Sequence, residues 1–230
     1  ILQIDFLIEQ GVITMKKLTA FLIALVMAVM CFATAAQAAE VDKKVVGRYE
    51  INGYVNEYFG FRASLPSGSE LQPRGAFVAA NNPVEKANDE STIDSLSSLL
   101  AISPQVVFSA YTNDGYLSIV IETPGLLGGT WDKEETVVKN TAPSLEEGMR
   151  ESIADQGMTL DSFEYMADED TIMGEKHWGV AMKYVASGIP VYAVEYFIRS
   201  GDGKYLAEIY MESTVAGDVE KMVGYFSKIK

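Results

Sequence analysis

Apolar and polar residues alternate in three successive runs between Lys176 and Glu212. Alternation with a period of two is typical of a β-strand with one buried face. The residues between the runs, 187–190 and 200–203, are typical of turns, so we expect three consecutive antiparallel strands. Their apolar sides are predicted to carry Trp178, Val180, Met182 and Tyr184; Tyr192, Val194, Tyr196 and Ile198; and Tyr205, Ala207, Ile209 and Met211. Their outward polar sides are predicted to carry His177, Ala181 and Lys183; Glu195 and Arg199; and Glu208 and Glu212.

Shorter alternating runs predict strands outside this meander. Phe59, Phe61, Ala63 and Leu65 alternate with small or polar residues, and this run ends at Pro66, because proline cannot donate to a strand ladder. Residues 106–111 and 116–122 flank Asp114-Gly115, which is a strong hairpin signal. Residues 75–80 and 131–138 are further candidate strands, and a strand over 159–166 is expected to lead into an acidic turn at 168–170.

Three segments repeat apolar residues at the spacing of an amphipathic helix. The first, 92–102, follows Ser91, a predicted N-cap. The second, 143–156, begins with Pro143 in its first turn, where proline is tolerated. The third closes the chain, with an apolar stripe made of Val215, Val219, Met222, Val223, Phe226 and Ile229. Together these elements predict an α+β fold, in which helices pack on the faces of an antiparallel β-sheet.

Residues 15–38 have the three parts of a secretory signal peptide: Lys16 and Lys17, an apolar middle, and a small-residue cleavage site. We expect cleavage between Ala38 and Ala39. A membrane anchor is the competing interpretation, but the apolar run is short for a span of about 20 residues. Residues 1–14, which precede a complete signal, are interpreted as an overextended gene start. Since Cys31 is the only cysteine, the exported chain would have no disulfide and no thiolate site.

Two features resemble the Mog1/PsbP-like group, which includes bacterial DcrB-like envelope proteins. Residues 58–66, YFGFRASLP, are similar to the opening strand of that group, and the order of helix, strand, three-strand meander and terminal helix is similar as well. The resemblance implies one sandwich-like α+β domain over 39–230, with an insertion near 81–102. It also implies a non-enzymatic binding or assembly protein, and it transfers no ligand-binding residue.

Charge narrows the range of partners. The sequence has 18 basic and 32 acidic residues and a net charge of −14. An acidic surface of this kind argues against binding to nucleic acid or to anionic membranes. We expect an envelope protein or a small ligand as partner, and no stable membrane insertion after removal of the signal.

The candidate catalytic chemistry is sparse. His177 is the only histidine, and no Gly-x-Ser-x-Gly or phosphate-binding loop occurs. We interpret His177 as a structural residue at the sheet surface and expect no cofactor. A pair of carboxylates acting as in a glycosidase stays open as an alternative, since two acids can be brought together by any fold.

The acidic turn offers weak candidates for calcium ligands, because calcium prefers clustered carboxylates. These candidates are Asp168, Asp170 and Glu175, although a solvated turn is the favoured interpretation. Contact with a partner is instead expected from Leu126, Leu127 and Trp131, in a glycine-containing loop with apolar side chains. The sequence therefore favours an exported, non-catalytic binding module of the bacterial envelope over an extracytoplasmic hydrolase or a calcium-dependent surface protein.

Overall fold

The computed structural model describes residues 41–74, 83–124, 129–155, 159–186 and 188–229. Two antiparallel sheets and several helices make up an α+β fold, as predicted. The strands are β1 Arg48–Glu50, β2 Gly53–Asn56, β3 Phe61–Ser64, β4 Glu70–Leu71, β5 Gln105–Tyr111, β6 Tyr116–Glu122, β7 Leu160–Ile172, β8 Glu175–Ala186, β9 Ile189–Arg199, β10 Leu206–Ser213 and β11 Phe226–Lys228. The smaller sheet has the order β1-β2-β3-β11, and the larger has the order β4-β5-β6-β10-β9-β8-β7. The helices are a 3-10 turn Lys43–Val46, α1 Pro83–Ala87, α2 Glu90–Leu100, α3 Glu134–Asp155 and α4 Ala216–Val223.

The larger sheet is covered on both faces. One face packs against the smaller sheet, α2 and α4, and the core between them contains most of the aromatic side chains of the first half of the chain. The other face packs against α3, which crosses β7, β8 and β9. The predicted meander is confirmed by the ladders that join β8 to β9 and β9 to β10, and the predicted hairpin by the pairing of β5 with β6.

Burial of both faces corrects one prediction about the meander. Glu195, Glu208 and Glu212, which were expected to face outward, are buried. Alternation placed them on the correct side of their strands. Tyr196, Ile209 and the other residues that pack towards the smaller sheet lie on the opposite side. It did not reveal that α3 covers that side too, because the pattern within a strand does not say what packs on its polar face.

Helix α3 is longer than predicted and includes residues that were assigned to a strand. It begins at Glu134, so the strand expected over 131–138 is wrong. Pro143 lies inside the helix and not in its first turn. The apolar stripe explains the difference, since it continues through Val138, Ala142, Leu145 and Met149 on both sides of the proline. Burial of that stripe outweighs the local cost of one missing N–H.

The acidic segment at 168–170 is also different from the prediction. Strand β7 continues through it to Ile172, and the turn lies at Met173-Gly174. Both turn residues have positive φ, 57° and 77°, which is the geometry of a two-residue type I′ hairpin turn. The pairing of β7 with β8 holds the acidic residues in a strand.

The closing helix is shorter than predicted, and Phe226 lies outside it. Helix α4 ends at Val223, and Phe226 begins β11, which pairs with β3 opposite Ala63. Phe226 is buried between the two sheets as its apolar character required, but its backbone completes the edge of β3. The predicted cap is wrong as well, since Ser91 lies within α2 and Asp89 precedes the helix. The strand expected at 75–80 lies outside the described residues.

A buried arginine connects α1 and the 3-10 turn to the core. The Arg74 guanidinium donates to the carbonyl oxygens of Ala87 at 2.9 Å and Gly47 at 3.0 Å, and also to that of Val46. Its carbon Cζ lies 5.2 Å from the centre of the Tyr49 ring. Carbonyl and aromatic contacts thus replace the carboxylate that usually accompanies a buried cation.

Candidate functional site

The fold presents a groove on the face of β7, β8 and β9 beside helix α4. Cross-strand pairing places Tyr196 opposite Gly179, Val194 opposite Ala181, and Tyr192 opposite Lys183 on this face. Residues of α4 line the groove together with residues of these three strands. The resulting groove has a volume of about 560 Å³, which lies in the usual range for ligand sites. We call it the α4 groove.

The floor and one wall of the α4 groove are apolar. Tyr192 and Val194 are half-buried and form part of the floor, while Val219 and Val223 of α4 form the wall. Gly179 lets the Tyr196 ring lie across the strand, since a Cβ on Gly179 would come within 2.6 Å of the Glu195 carbonyl oxygen and 3.3 Å of Tyr196 Cδ1. The small residues of β8 therefore keep the floor low enough for the aromatic rings to line it.

The rim of the groove is acidic. Glu164 and Asp170 of β7 and Glu220 of α4 lie around it, with Lys183 as the basic residue that also lines it. The Tyr196 hydroxyl donates to Asp170 Oδ2 at 3.1 Å. Burial, together with the negative charge of Asp170, raises the pKa of Tyr196. A ligand with an apolar body and a positive charge would match both the floor and the rim.

A second unusual feature is a set of buried carboxyl groups beneath α3. Glu122 of β6, Glu208 of β10 and Glu195 of β9 lie on neighbouring strands and are each at most 2% exposed. Burial raises the pKa of Glu122 to about 8, and Glu208, hydrogen-bonded to it, acts in the opposite direction. Burial raises the pKa of Glu195 and of Glu208 well above the usual value. Burial therefore favours the protonated, uncharged form of each carboxyl group in this set, because separated charges in this interior would cost several kcal/mol.

Glu212 belongs to the same face but has hydroxyl partners. Tyr210 donates to Glu212 Oε2 at 2.6 Å, and Tyr184 donates to the same oxygen at 3.3 Å. Burial, followed by the proximity of Glu212, raises the pKa of both tyrosines. These bonds satisfy a carboxyl group that α3 removes from water.

The residues predicted to contact a partner lie in different settings. Trp131 is half-buried against the α3 core. Its backbone is fixed to the β9–β10 turn, since its N–H donates to the Gly203 carbonyl oxygen at 2.7 Å and its own carbonyl accepts from Arg199 Nε at 2.9 Å. Leu126 and Leu127 lie outside the described residues.

The calcium candidates are spread along the β7–β8 hairpin. Asp170 accepts from Tyr196 and from the Thr171 N–H, and Glu175 forms an ion pair with Lys228 of β11. The side chain of Asp168 is outside the described part of the structure. Among the side chains that are described, no group of three histidine, cysteine, aspartate or glutamate residues has a metal-binding arrangement.

His177 lies where β8 and β9 separate. Its Nδ1 is 3.1 Å from both carboxylate oxygens of Glu134, and Glu134 Oε1 also accepts the Arg199 backbone N–H at 3.0 Å. The first residue of α3 thus fills a gap at the end of the sheet. This arrangement gives His177 a structural partner on the helix.

The α4 groove was missed by sequence reasoning because its wall and floor come from segments far apart in the chain. One signal was available. Ala181 and Lys183 were placed on the polar side of their strand, and in the sheet they lie beside Val194 and Tyr192, so this face carries both polar and apolar residues. The buried carboxyl set also had a signal, since Glu122, Glu208 and Glu195 each occur among apolar residues of adjacent strands.

No helix in the described part of the chain is long and apolar enough to cross a membrane. No protein-family model matches the sequence, and a search of curated proteins finds no match. A search of solved structures finds LpqN of Mycobacterium tuberculosis, a protein involved in cell envelope biogenesis. It is 13% identical, the match covers 73% of this chain and 82% of LpqN, and the TM-score is 0.32. At this TM-score the likeness carries no argument about function.

Proposed function

We propose that the protein is an exported, non-catalytic binding module of the bacterial envelope, and that the α4 groove binds a ligand with an apolar body and a positively charged group. The observation that carries this proposal is the combination of an apolar floor with an acidic rim. The export signal predicted in residues 15–38 supports the proposed location. The same proposal includes a relationship to the Mog1/PsbP-like group, which residues 58–66 resemble.

The charge of the whole chain supports a cationic ligand. A net charge of −14 produces a negative potential that attracts cations and increases their rate of association. The rim acids Glu164 and Glu220 are exposed, so they contribute orientation and rate more than affinity. Affinity would come from apolar area buried against Tyr192, Val194 and Val223.

The hydrolase alternative receives no support from the buried carboxyl groups. An acid–base pair of carboxylates needs pKa values displaced in opposite directions. In Glu122, Glu195 and Glu208 the pKa values are all raised. His177, the other candidate base, is engaged by Glu134 on α3. Turnover of a hydrolase substrate that disappears in His177→Ala would contradict the non-catalytic part of the proposal.

A titration followed by NMR tests the groove. We expect phenylpropylammonium to shift the signals of Tyr192, Val194 and Val223, and phenylpropionate, which has the opposite charge, to bind at least tenfold more weakly. Glu220→Lys should weaken ammonium binding because it reverses one charge on the rim. Glu151→Lys is the matched control, since Glu151 is exposed on α3. Equal weakening by both variants would mean that bulk charge alone is responsible, and the absence of shifts in the groove would refute the site.

The loop before α3 is a second part of this proposal. Leu126 and Leu127 are proposed to contact a partner protein, beside the fixed Trp131. The double variant Leu126→Asp, Leu127→Asp should abolish partner capture from envelope extract while ammonium binding in the α4 groove is unchanged. Partner capture that is unaffected would remove the loop from the proposal.

A further inference from the structure

Strand β7 forms a long outer edge of the larger sheet. It has 13 residues, and β8 is the strand that pairs with it in the described part of the chain. The other edge of this sheet is β4, with two residues. A long edge strand presents backbone N–H and C=O groups to which another extended chain can bind.

The hairpin turn determines which backbone groups of β7 face this edge. In a two-residue type I′ hairpin, the residues that flank the turn, here Ile172 and Glu175, form a hydrogen-bonded pair. Because such pairs alternate along an antiparallel ladder, Tyr165 and Ala167 occupy non-hydrogen-bonded positions. Their backbone N–H and C=O groups therefore point away from β8. The Thr171 N–H, in an equivalent position, donates to Asp170 Oδ1 at 2.6 Å.

The charge of β7 selects between possible occupants of this edge. The strand contains five acidic residues and no lysine or arginine; the acids are Asp161, Glu164, Asp168, Glu169 and Asp170. A second copy of β7 would place carboxylates opposite carboxylates, which destabilises strand pairing. A strand with lysine or arginine at alternate positions would place opposite charges across the new ladder.

The edge is continuous with the α4 groove. Glu164 and Asp170 belong both to β7 and to the rim of the groove. Successive side chains of an added strand point to opposite faces of the sheet, so every second side chain would lie on the groove face. Backbone pairing would then supply affinity, and the acidic rim would supply selectivity.

We propose that the ligand of this protein is an extended, basic polypeptide segment of another protein, which adds a strand to the edge of β7 that faces away from β8. This inference rests on the proposed function, because it specifies the cationic ligand of the groove as a peptide. Acidic residues on an edge strand also suppress edge-to-edge association. Binding of a basic peptide to this edge distinguishes recognition from that role.

The probe is a ten-residue peptide of alternating lysine and valine, titrated into the full chain at low ionic strength. We expect it to bind, and we expect an alternating glutamate–valine peptide to bind at least tenfold more weakly. The lysine–valine peptide with every amide N-methylated keeps its charge but cannot donate to β7, so it should also lose at least tenfold. Hydrogen exchange at the Tyr165 and Ala167 amides should slow when the unmodified peptide is added.

Variants of the strand provide a second test. Ala167→Pro removes an outward N–H and leaves the β7–β8 ladder intact, since the altered position does not donate to β8. It should weaken peptide binding at least tenfold, whereas Ala167→Thr, which keeps the N–H, should not. If Ala167→Pro does not fold, the exchange rates of Tyr165 and Ala167 in the wild type still decide the question.

Several results would overturn the inference. Equal binding of the N-methylated peptide would show attraction by charge without strand pairing. Slower exchange at these amides as protein concentration rises, without peptide, would identify a second copy as the occupant. Phenylpropylammonium binding separates the two proposals: if it binds and the peptide does not, the edge inference fails and the groove stands, whereas failure of both ligands refutes the groove as well.

Discussion

Replacing Glu122 with glutamine should remove a large part of the pH dependence of stability. The pKa of Glu122 is raised to about 8 in the fold, against an ordinary value near 4.5. Between these two pH values the folded chain keeps a proton that the unfolded chain releases. The free energy of unfolding therefore falls as pH rises through this window, by about 1.4 kcal/mol per pH unit for one proton.

The size of the effect follows from that slope. From about pH 5 to about pH 8 the loss at this group amounts to roughly 3–4 kcal/mol. Glu122 and Glu208 are hydrogen-bonded to each other, so the proton belongs to the pair and the slope reports their joint titration. Glutamine keeps the shape of the side chain and an oxygen that can accept from Glu208, but it does not titrate. Glu122→Gln should consequently flatten the pH profile and be more stable than the wild type near pH 8.

Urea unfolding at a series of pH values measures this slope. Glu151→Gln is the matched control, because it makes the same side-chain change at an exposed position on α3. It corrects for the general repulsion within a chain of net charge −14. The assignment of a buried, protonated carboxyl group would be refuted if the free energy of unfolding of Glu122→Gln changed with pH as steeply as that of the wild type, after correction by the control.

Three further substitutions test the packing. Phe226→Ala should reduce the free energy of unfolding by about 3–5 kcal/mol, because the side chain is 5% exposed between the two sheets. Ser227→Ala, at an exposed position on the same strand, should change the free energy of unfolding little. Equal denaturation midpoints for the two variants would show that β11 does not dock. Gly179→Ala should cost about 1–3 kcal/mol of stability, since its Cβ would overlap the Glu195 carbonyl oxygen. Gly217→Ala on α4 meets open space and should stabilise the fold by up to about 1 kcal/mol. Calorimetric melting that ranks the two variants in the opposite order would contradict the close approach at Gly179. Glu134→Ala should cost about 1–3 kcal/mol by leaving the Arg199 N–H without its acceptor, measured by urea unfolding, and a cost below a few tenths would show that water replaces the carboxylate.

Several positions show where local pattern was sufficient. The alternation in β8, β9 and β10 and the Asp114-Gly115 turn between β5 and β6 were predicted correctly, because strand period and turn chemistry are properties of short segments. Phe226 was placed in the core for the right reason but in the wrong element. Its hydrophobicity required burial, while the choice between helix and strand depended on whether the edge of β3, more than 160 residues earlier, was available for pairing.

The sequence by itself determined the α+β class, the order of the main strands and which residues share a face of each strand. Only the tertiary structure decided what covers each face. It buried Glu195 and Glu208 on the face of the sheet against which α3 packs, and this burial raises the pKa of both carboxyl groups. Within the described part of the chain, it also brought α4 beside β7, β8 and β9, and the groove lies between them. The physical reason is that periodicity is a local property of the chain, whereas burial depends on contacts between segments far apart in sequence.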